Sequence, residues 1–332
     1  MKRFLLLHCF LFFLCSSPAL SAEILVYTAV EPDILNHYKA AFQKQYPDIT
    51  VKWVRDSAGP IVARMLAEKN NPRADAVFGL SLAGLLVLRQ AELLEAYKAR
   101  DYDQMRPEFM SSGQEPLWTP INAWGAVICA NRLEMEKNNL PEPGNWWDLT
   151  NEIYRGKIIM PSPVSSSTGL MMIYGWLELM GGEQAWNFMK ELDKNVEMYS
   201  HSGSRPCQMA ARGETALGLS SPAFAGSLVK KGAPLELITP ADGVGWDLEA
   251  SAIIKKDRKD AASLQAAQAL MDFSASEEAA RLAAEAGYIP ARKSFENNEF
   301  QKMTESFISM DFEKNFLQRD EILEQWRRLF EK

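Results

Sequence analysis

The stretch "GVGWDLEASAIIKK", residues 243–256, has the composition of one long β-strand set between glycines and a pair of lysines. Side chains alternate faces along a strand, so Asp247, Glu249 and Ser251 share one side while Trp246, Leu248, Ala250 and Ala252 share the other. Following a full set of α/β elements, such a strand is expected to cross back into a domain begun earlier in the chain. Its counterpart is "AWGAVICAN" (123–131), a strand long enough to leave one domain and enter another.

Around these crossings strands and helices alternate. "EILVYTA" (23–29), "ITVKWVR" (49–55) and "ADAVFGL" (74–80) are rich in β-formers. Between them, "PDILNHYKAAFQKQYP" (32–47) and "GPIVARMLAEKN" (59–70) carry apolar residues at helical spacing. This βαβαβ order predicts a parallel sheet covered by helices. "SLAGLLVLRQAELLEAY" (81–97) predicts one further helix. The logic repeats after the first crossing, with strands at "GKIIMP" (156–161), "VEMYS" (196–200), "TALGLSS" (215–221) and "LELITP" (235–240) among helical segments. The C-terminal stretch is helical, and Ile322, Trp326, Leu329 and Phe330 mark one apolar face. The fold class is therefore α/β, with two lobes joined by two hinge crossings: residues 23–122 with 245–332 form lobe 1, and 123–244 form lobe 2.

Lys2 and Arg3 precede the apolar run Phe4 to Cys15, and "SSPALSA" (16–22) supplies small residues suited to cleavage after Ser21 or Ala22. Residues 1–22 are expected to be an export leader that delivers a soluble protein to the periplasm. Phe13 and Leu14 stand before Cys15 where lipid attachment needs a small residue. Losing Lys2 and Arg3 makes the mature chain two charges more negative than the −7 of the whole sequence. No basic block offsets this, which argues against nucleic acid or anionic membranes as partners. Cys129 and Cys207 remain as a disulfide candidate in an oxidising compartment, with two buried free thiols as the alternative.

Several chemistries lack their motifs. There is no HExxH, CxxC or GxGxxG; "GETALGL" (213–219) ends in Leu219 where a phosphate-binding loop needs lysine, and Pro222 in "GLSSP" spoils a nucleophile elbow. The mature chain has two histidines, His37 in a helix and His201 in a loop, so a secreted hydrolase with a Ser/His/Asp triad would have to use one of them. No cofactor is called for.

Two kinds of ligand segment stand out. "PSPVSSSTGLMM" (161–172) places Ser165, Ser166, Ser167 and Thr168 in a row before an apolar helix. A helix start offers unpaired N–H groups and partial positive charge, so it holds an anion without a lysine. One hydroxyl is needed as a cap, and Ser165 is the expected one, leaving Ser166, Ser167 and Thr168 for a ligand. Gly169 is expected to let that ligand approach the backbone. "RDSAGP" (55–60) offers Ser57 and Gly59 in the same way, and "SHSGSRP" (200–206) offers Ser202, Gly203, Ser204 and Arg205. Thr28 and Ser81 complete the hydroxyl set at βα turns, where open α/β sheets place ligands. Coincidental capping remains the competing account. The second kind is the acidic face Asp247/Glu249, costly to bury without a cation or donors. A ligand ammonium and a salt bridge within the protein are equal solutions; Glu31 is a second, weaker amine candidate. Together these features imply a small zwitterion with a phosphonate or phosphate head.

The segments "VYTAVEPD", "VKWVRDSAG", "LAEKNNPRADAVFGL", "MPSPVSSSTG", "YSHSGSRPCQMAARGE" and "GVGWDLEASAIIK" together resemble the periplasmic 2-aminoethylphosphonate-binding proteins of ABC importers. The similarity runs from about Glu23 to Phe295. It implies a type II periplasmic-binding-protein-like fold and a monomeric, non-enzymatic receptor that delivers its ligand to an inner-membrane permease with a cytoplasmic ATPase. Iron binders of the wider group use a tyrosine pair where "SPAFAGS" (221–227) has Phe224, which disfavours ferric transport. Sugar-phosphate and phosphoglycerate binders share the need for a phosphate cradle and stay open as alternatives.

Overall fold

The structure, a computed structural model, describes residues 22–331 other than 112, 114, 258–260, 296 and 297. The expected leader lies outside the described residues except for Ala22, which opens the first strand. The strands are β1 (Ala22–Thr28), β2 (Ile49–Arg55), β3 (Ala76–Ser81), β4 (Leu94–Glu95), β5 (Thr119–Gly125), β6 (Val127–Asn131), β7 (Ile158–Pro161), β8 (Val196–Ser200), β9 (Leu217–Ser220), β10 (Leu235–Ile238), β11 (Trp246–Ile254) and β12 (Ile289–Pro290). They form two sheets. The first runs β12-β5-β11-β3-β1-β2 with β4 added to β11, and the second runs β10-β6-β9-β7-β8.

β1 pairs in parallel with both β2 and β3, as a βαβαβ unit requires. Every residue of β3 is buried, in keeping with a central strand covered on both faces. β11 lies antiparallel between β3 and β5. Its pairing shifts register after Glu249 on the β5 side and between Ala250 and Ala252 on the β3 side, a bulge beside the acidic residues.

The chain changes sheet at Ala126, between β5 and β6, and returns after β10 into β11. The two passages lie side by side, the Ala126 N–H donating to the Gly245 carbonyl at 3.1 Å. The helix Ser167–Met180 packs so closely here that a Cβ on Gly175 would sit 2.7 Å from Gly245 Cα. A third segment joins them. The Val244 N–H donates to the Ser306 carbonyl and the Ile308 N–H to the Val244 carbonyl, while Phe307 stacks on Trp246 at 5.4 Å between ring centroids. Trp246 is thus core at the hinge, with Phe109 and Phe312 closing around it.

Two expectations need correcting. The helix expected over 81–97 ends at Gln90, because Glu92 turns at φ 59° and lets Leu93 and Leu94 bury themselves, Leu94 in β4 against β11. The C-terminal helix Arg319–Phe330 does not stay with the first lobe. Its Ile322, Leu323 and Trp326 join the hydrophobic core of the second lobe, Trp326 packing edge-on to Tyr199. In the second lobe a disulfide joins Cys129 of β6 to Cys207 of the helix Arg205–Ala211, with Cα atoms 5.4 Å apart.

Candidate functional site

The lobes meet where their helix starts face each other. The Gly59 N–H donates to the Ser165 carbonyl at 3.1 Å, and a Cβ on Gly59 would lie 2.5 Å from the Val164 carbonyl oxygen, so this contact requires glycine. Nearby, His201 Nε2 stands 3.7 Å from Asp56 Oδ1, and Lys231 Nζ stands 3.5 Å from Asp33 Oδ2. A crevice between the lobes is lined by Gly59 and Ser81 on one side and Ser165, Ser166 and Ser167 on the other. Arg319 also reaches it, a residue the sequence reading passed over because it belongs to a helix far along the chain.

The expected hydroxyls divide into two groups. Ser166, not Ser165, is the cap of the helix Ser167–Met180: its backbone is extended and its Oγ accepts from the Gly169 N–H. Ser165 Oγ donates instead to the His201 carbonyl at 2.8 Å, tying two loops together. Ser81 caps its helix through the Gly84 N–H, and Thr28 Oγ1 accepts from the Val30 N–H, shaping the turn after β1. Ser202 and Ser204 lie 3.4 Å apart, and Ser204 Oγ also accepts from Gln208. Ser57, Ser167 and Thr168 differ. Ser57 occupies a cap position without making the capping bond, and among the described residues the hydroxyls of all three make no hydrogen bond within the protein. Gly169 does not serve a ligand as expected: a Cβ there would lie 2.5 Å from the Pro161 carbonyl, so its small size is needed by the protein's own strand. Arg205 and His201 are exposed.

The acidic face separates in the same way. Asp247 Oδ1 accepts from the Leu82 N–H at 3.2 Å and the Leu248 N–H at 2.7 Å, which holds the start of the helix Leu82–Gln90. Glu249 Oε2 accepts from Asn122 Nδ2 at 3.1 Å. Among the described residues neither carboxylate makes an ion pair. Burial raises Asp247 to about 7, and burial aided by the nearby Asp247 and Glu31 raises Glu249 to about 8. Glu31 itself is paired with Arg55 at 2.7 Å and so is not an open amine acceptor. Around Glu249 three buried polar atoms have no partner: Asn122 Oδ1, Tyr38 Oη and Tyr288 Oη. Ser221 Oγ, at the start of the helix Pro222–Lys230, is also unpartnered. None of these four was singled out from sequence. An asparagine inside the otherwise apolar run "INAW" (121–124) was the one visible signal. Among the described residues no group of three or more His, Cys, Asp or Glu side chains is placed to hold a metal ion.

Residues 85–315 match the family of bacterial extracellular solute-binding proteins. An uncharacterized protein of Haemophilus influenzae is 28% identical over 320 residues, covering 92% of this chain and 89% of that protein. The phosphoglycerate transport regulatory protein PgtC of Salmonella typhimurium is 21% identical over 207 residues, covering 62% of this chain and 51% of PgtC. Among solved structures, the periplasmic binding protein AfuA of Actinobacillus pleuropneumoniae with fructose 6-phosphate bound aligns with a TM-score of 0.86. It is 27% identical, and the alignment covers 93% of this chain and 99% of AfuA.

Proposed function

The chain belongs to the bacterial extracellular solute-binding proteins and is a two-lobed solute-binding receptor of the ABC-transporter type; we propose that its ligand is a small phosphonate, 2-aminoethylphosphonate, held between the lobes. The observation that carries this reading is a buried acid without a cation, Glu249, paired in the sheet with Ser81 of the interlobe crevice, which is also lined by Ser167, a hydroxyl with no partner among the described residues. The phosphonate head goes to Ser57, Ser167 and Thr168 and the adjoining helix N–H groups, which supply donors without a lysine. The ammonium goes to the acid. The protein releases its ligand to an inner-membrane permease, works as a monomer and catalyses nothing. Its leader, residues 1–22, carries it to the periplasm.

A sugar phosphate is the competing ligand, favoured by the fructose 6-phosphate bound to AfuA, and PgtC's name keeps phosphoglycerate in view. These ligands share the head and differ at the other end. Neither brings a positive charge to Glu249, which burial otherwise keeps protonated near neutral pH, so neither gains the ion pair that an ammonium makes there. Titration calorimetry on protein stripped of bound solute should therefore rank 2-aminoethylphosphonate above both ethylphosphonate and fructose 6-phosphate. Tighter binding of the sugar phosphate would reverse the assignment.

A further inference from the structure

We infer that Glu249, Asn122, Tyr38 and Tyr288 form a subsite selective for a primary ammonium group, and that Asp247, two residues away on the same strand, is a structural brace outside it. The inference rests on the amine-bearing ligand proposed above and names the residues that recognise it. It starts from the pairing of β11 with β5, where Glu249 and Asn122 stand directly opposite each other. The bulge that follows Glu249 breaks the regular alternation at this point, and bulges are a recurrent means of re-aiming a side chain toward a site. Glu249 retains 8% of its surface exposed against 2% for Asp247, so of the two acids it is the one that reaches the edge of the buried region.

The hydrogen-bond inventory then specifies the chemistry. Glu249 Oε2 is occupied by Asn122 Nδ2, and no bond to Oε1 occurs among the described residues. Asn122 gives its amide nitrogen to Glu249, and the carbonyl oxygen of the same amide is buried and unpartnered. The hydroxyl of Tyr38 lies against the Asn122 side chain without completing a well-aligned hydrogen bond to it and is near Glu249, and that of Tyr288 is near Glu249 and Tyr38, buried and without a partner. Folded proteins rarely leave such atoms unsatisfied. Three polar atoms around one unpaired carboxylate make a cage short of a donor-rich, positively charged group. A primary ammonium has three N–H donors and one charge, which match the Glu249 carboxylate, the Asn122 carbonyl and a tyrosine oxygen. A quaternary ammonium brings the charge but no donors, and a sugar hydroxyl brings a donor but no charge.

Asp247 lacks this character. Its Oδ1 is engaged by the Leu82 and Leu248 backbone N–H groups, so it completes the start of a helix already capped by Ser81.

Calorimetry with three probes tests the assignment: 2-aminoethylphosphonate, ethylphosphonate and 2-(trimethylammonio)ethylphosphonate. Wild-type protein should prefer the first over the second by about ten- to a hundredfold, the range expected of a charge-assisted hydrogen bond. The trimethylated probe should gain little over ethylphosphonate. In Glu249→Gln the preference should collapse toward one while ethylphosphonate affinity holds, and Tyr288→Phe should narrow it. Asp247→Asn should preserve it. A wild-type preference that survives Glu249→Gln, or that disappears in Asp247→Asn, overturns the subsite and leaves the proposed ligand standing. No wild-type preference at all sinks both. A trimethylated probe that binds as tightly as the primary amine overturns the cage on wild-type protein alone, independent of how any variant folds.

Discussion

Ser166 and Ser167 are neighbours in sequence with different work to do. Ser166 Oγ faces back along its own helix to the Gly169 N–H, whereas the Ser167 hydroxyl has no bond within the protein. Ser166→Ala and Ser81→Ala should therefore each lower stability by about 0.5–2 kcal/mol, the usual worth of a cap, with little change in affinity. The double change Ser167→Ala with Thr168→Ala should do the opposite, weakening phosphonate binding while the melting temperature barely moves. Denaturant titration beside calorimetry separates the two effects, and matched losses in all variants would refute the division. The sequence shows that four hydroxyls exceed what capping needs. It does not show which one caps, because that depends on where the chain turns from extended to helical backbone, and the turn falls one residue later than the pattern suggests. Gly169 illustrates the same limit: a glycine beside a hydroxyl run looks made for a ligand, yet the strand Ile158–Pro161 is what approaches it.

Among the secondary-structure elements, those with a strong period are legible. β1 to β3 with their helices, and β11 with its polar face, follow from alternation and helical spacing. Elements set by long-range partners are not. The helix Leu82–Gln90 is followed by apolar residues that continue its pattern, and only pairing with β11 shows why Leu94 leaves it. The C-terminal helix carries a clear apolar face, but nothing local says which lobe that face covers. Asn122, Tyr38 and Tyr288 come from three elements and converge on Glu249 through sheet order, which no motif spacing records. The disulfide can be tested at this level. It links β6 to the helix Arg205–Ala211 across 78 residues of sequence, within the second lobe. Removing it as Cys129→Ala with Cys207→Ala should cost about 2–5 kcal/mol of stability. Ligand affinity at a temperature where the variant stays folded should remain within a few-fold of wild type. A large loss of affinity with stability intact would mean that the bridge positions the ligand loops rather than supporting the lobe.

Across the whole molecule, the two buried acids link folding, pH and ligand. Asp247 is raised from its ordinary value to about 7 and Glu249 to about 8, burial being the main cause in both. The groups facing Glu249 are Asp247 on the same strand, Glu31 after β1, Tyr38, Tyr288 and Asn122; none of them supplies a cation. Below about pH 4 both acids are protonated in the folded and unfolded chain alike, and their burial is then tolerated. Between about pH 4 and 8 the unfolded chain gives up protons that the folded one keeps, so these two groups make stability fall as pH rises. An ammonium placed against Glu249 favours its ionised form and reverses that term. Binding of 2-aminoethylphosphonate at pH 7 should therefore release close to one more proton from wild-type protein than from Glu249→Gln, the ligand's own titration being common to both. Calorimetry in two buffers of different ionisation enthalpy counts the protons. The excess should shrink as the pH is taken above about 8, where free Glu249 is already ionised. Equal proton release by wild-type protein and Glu249→Gln at pH 7 would mean that the amine does not meet a protonated acid, and the buried carboxylate would then need another account.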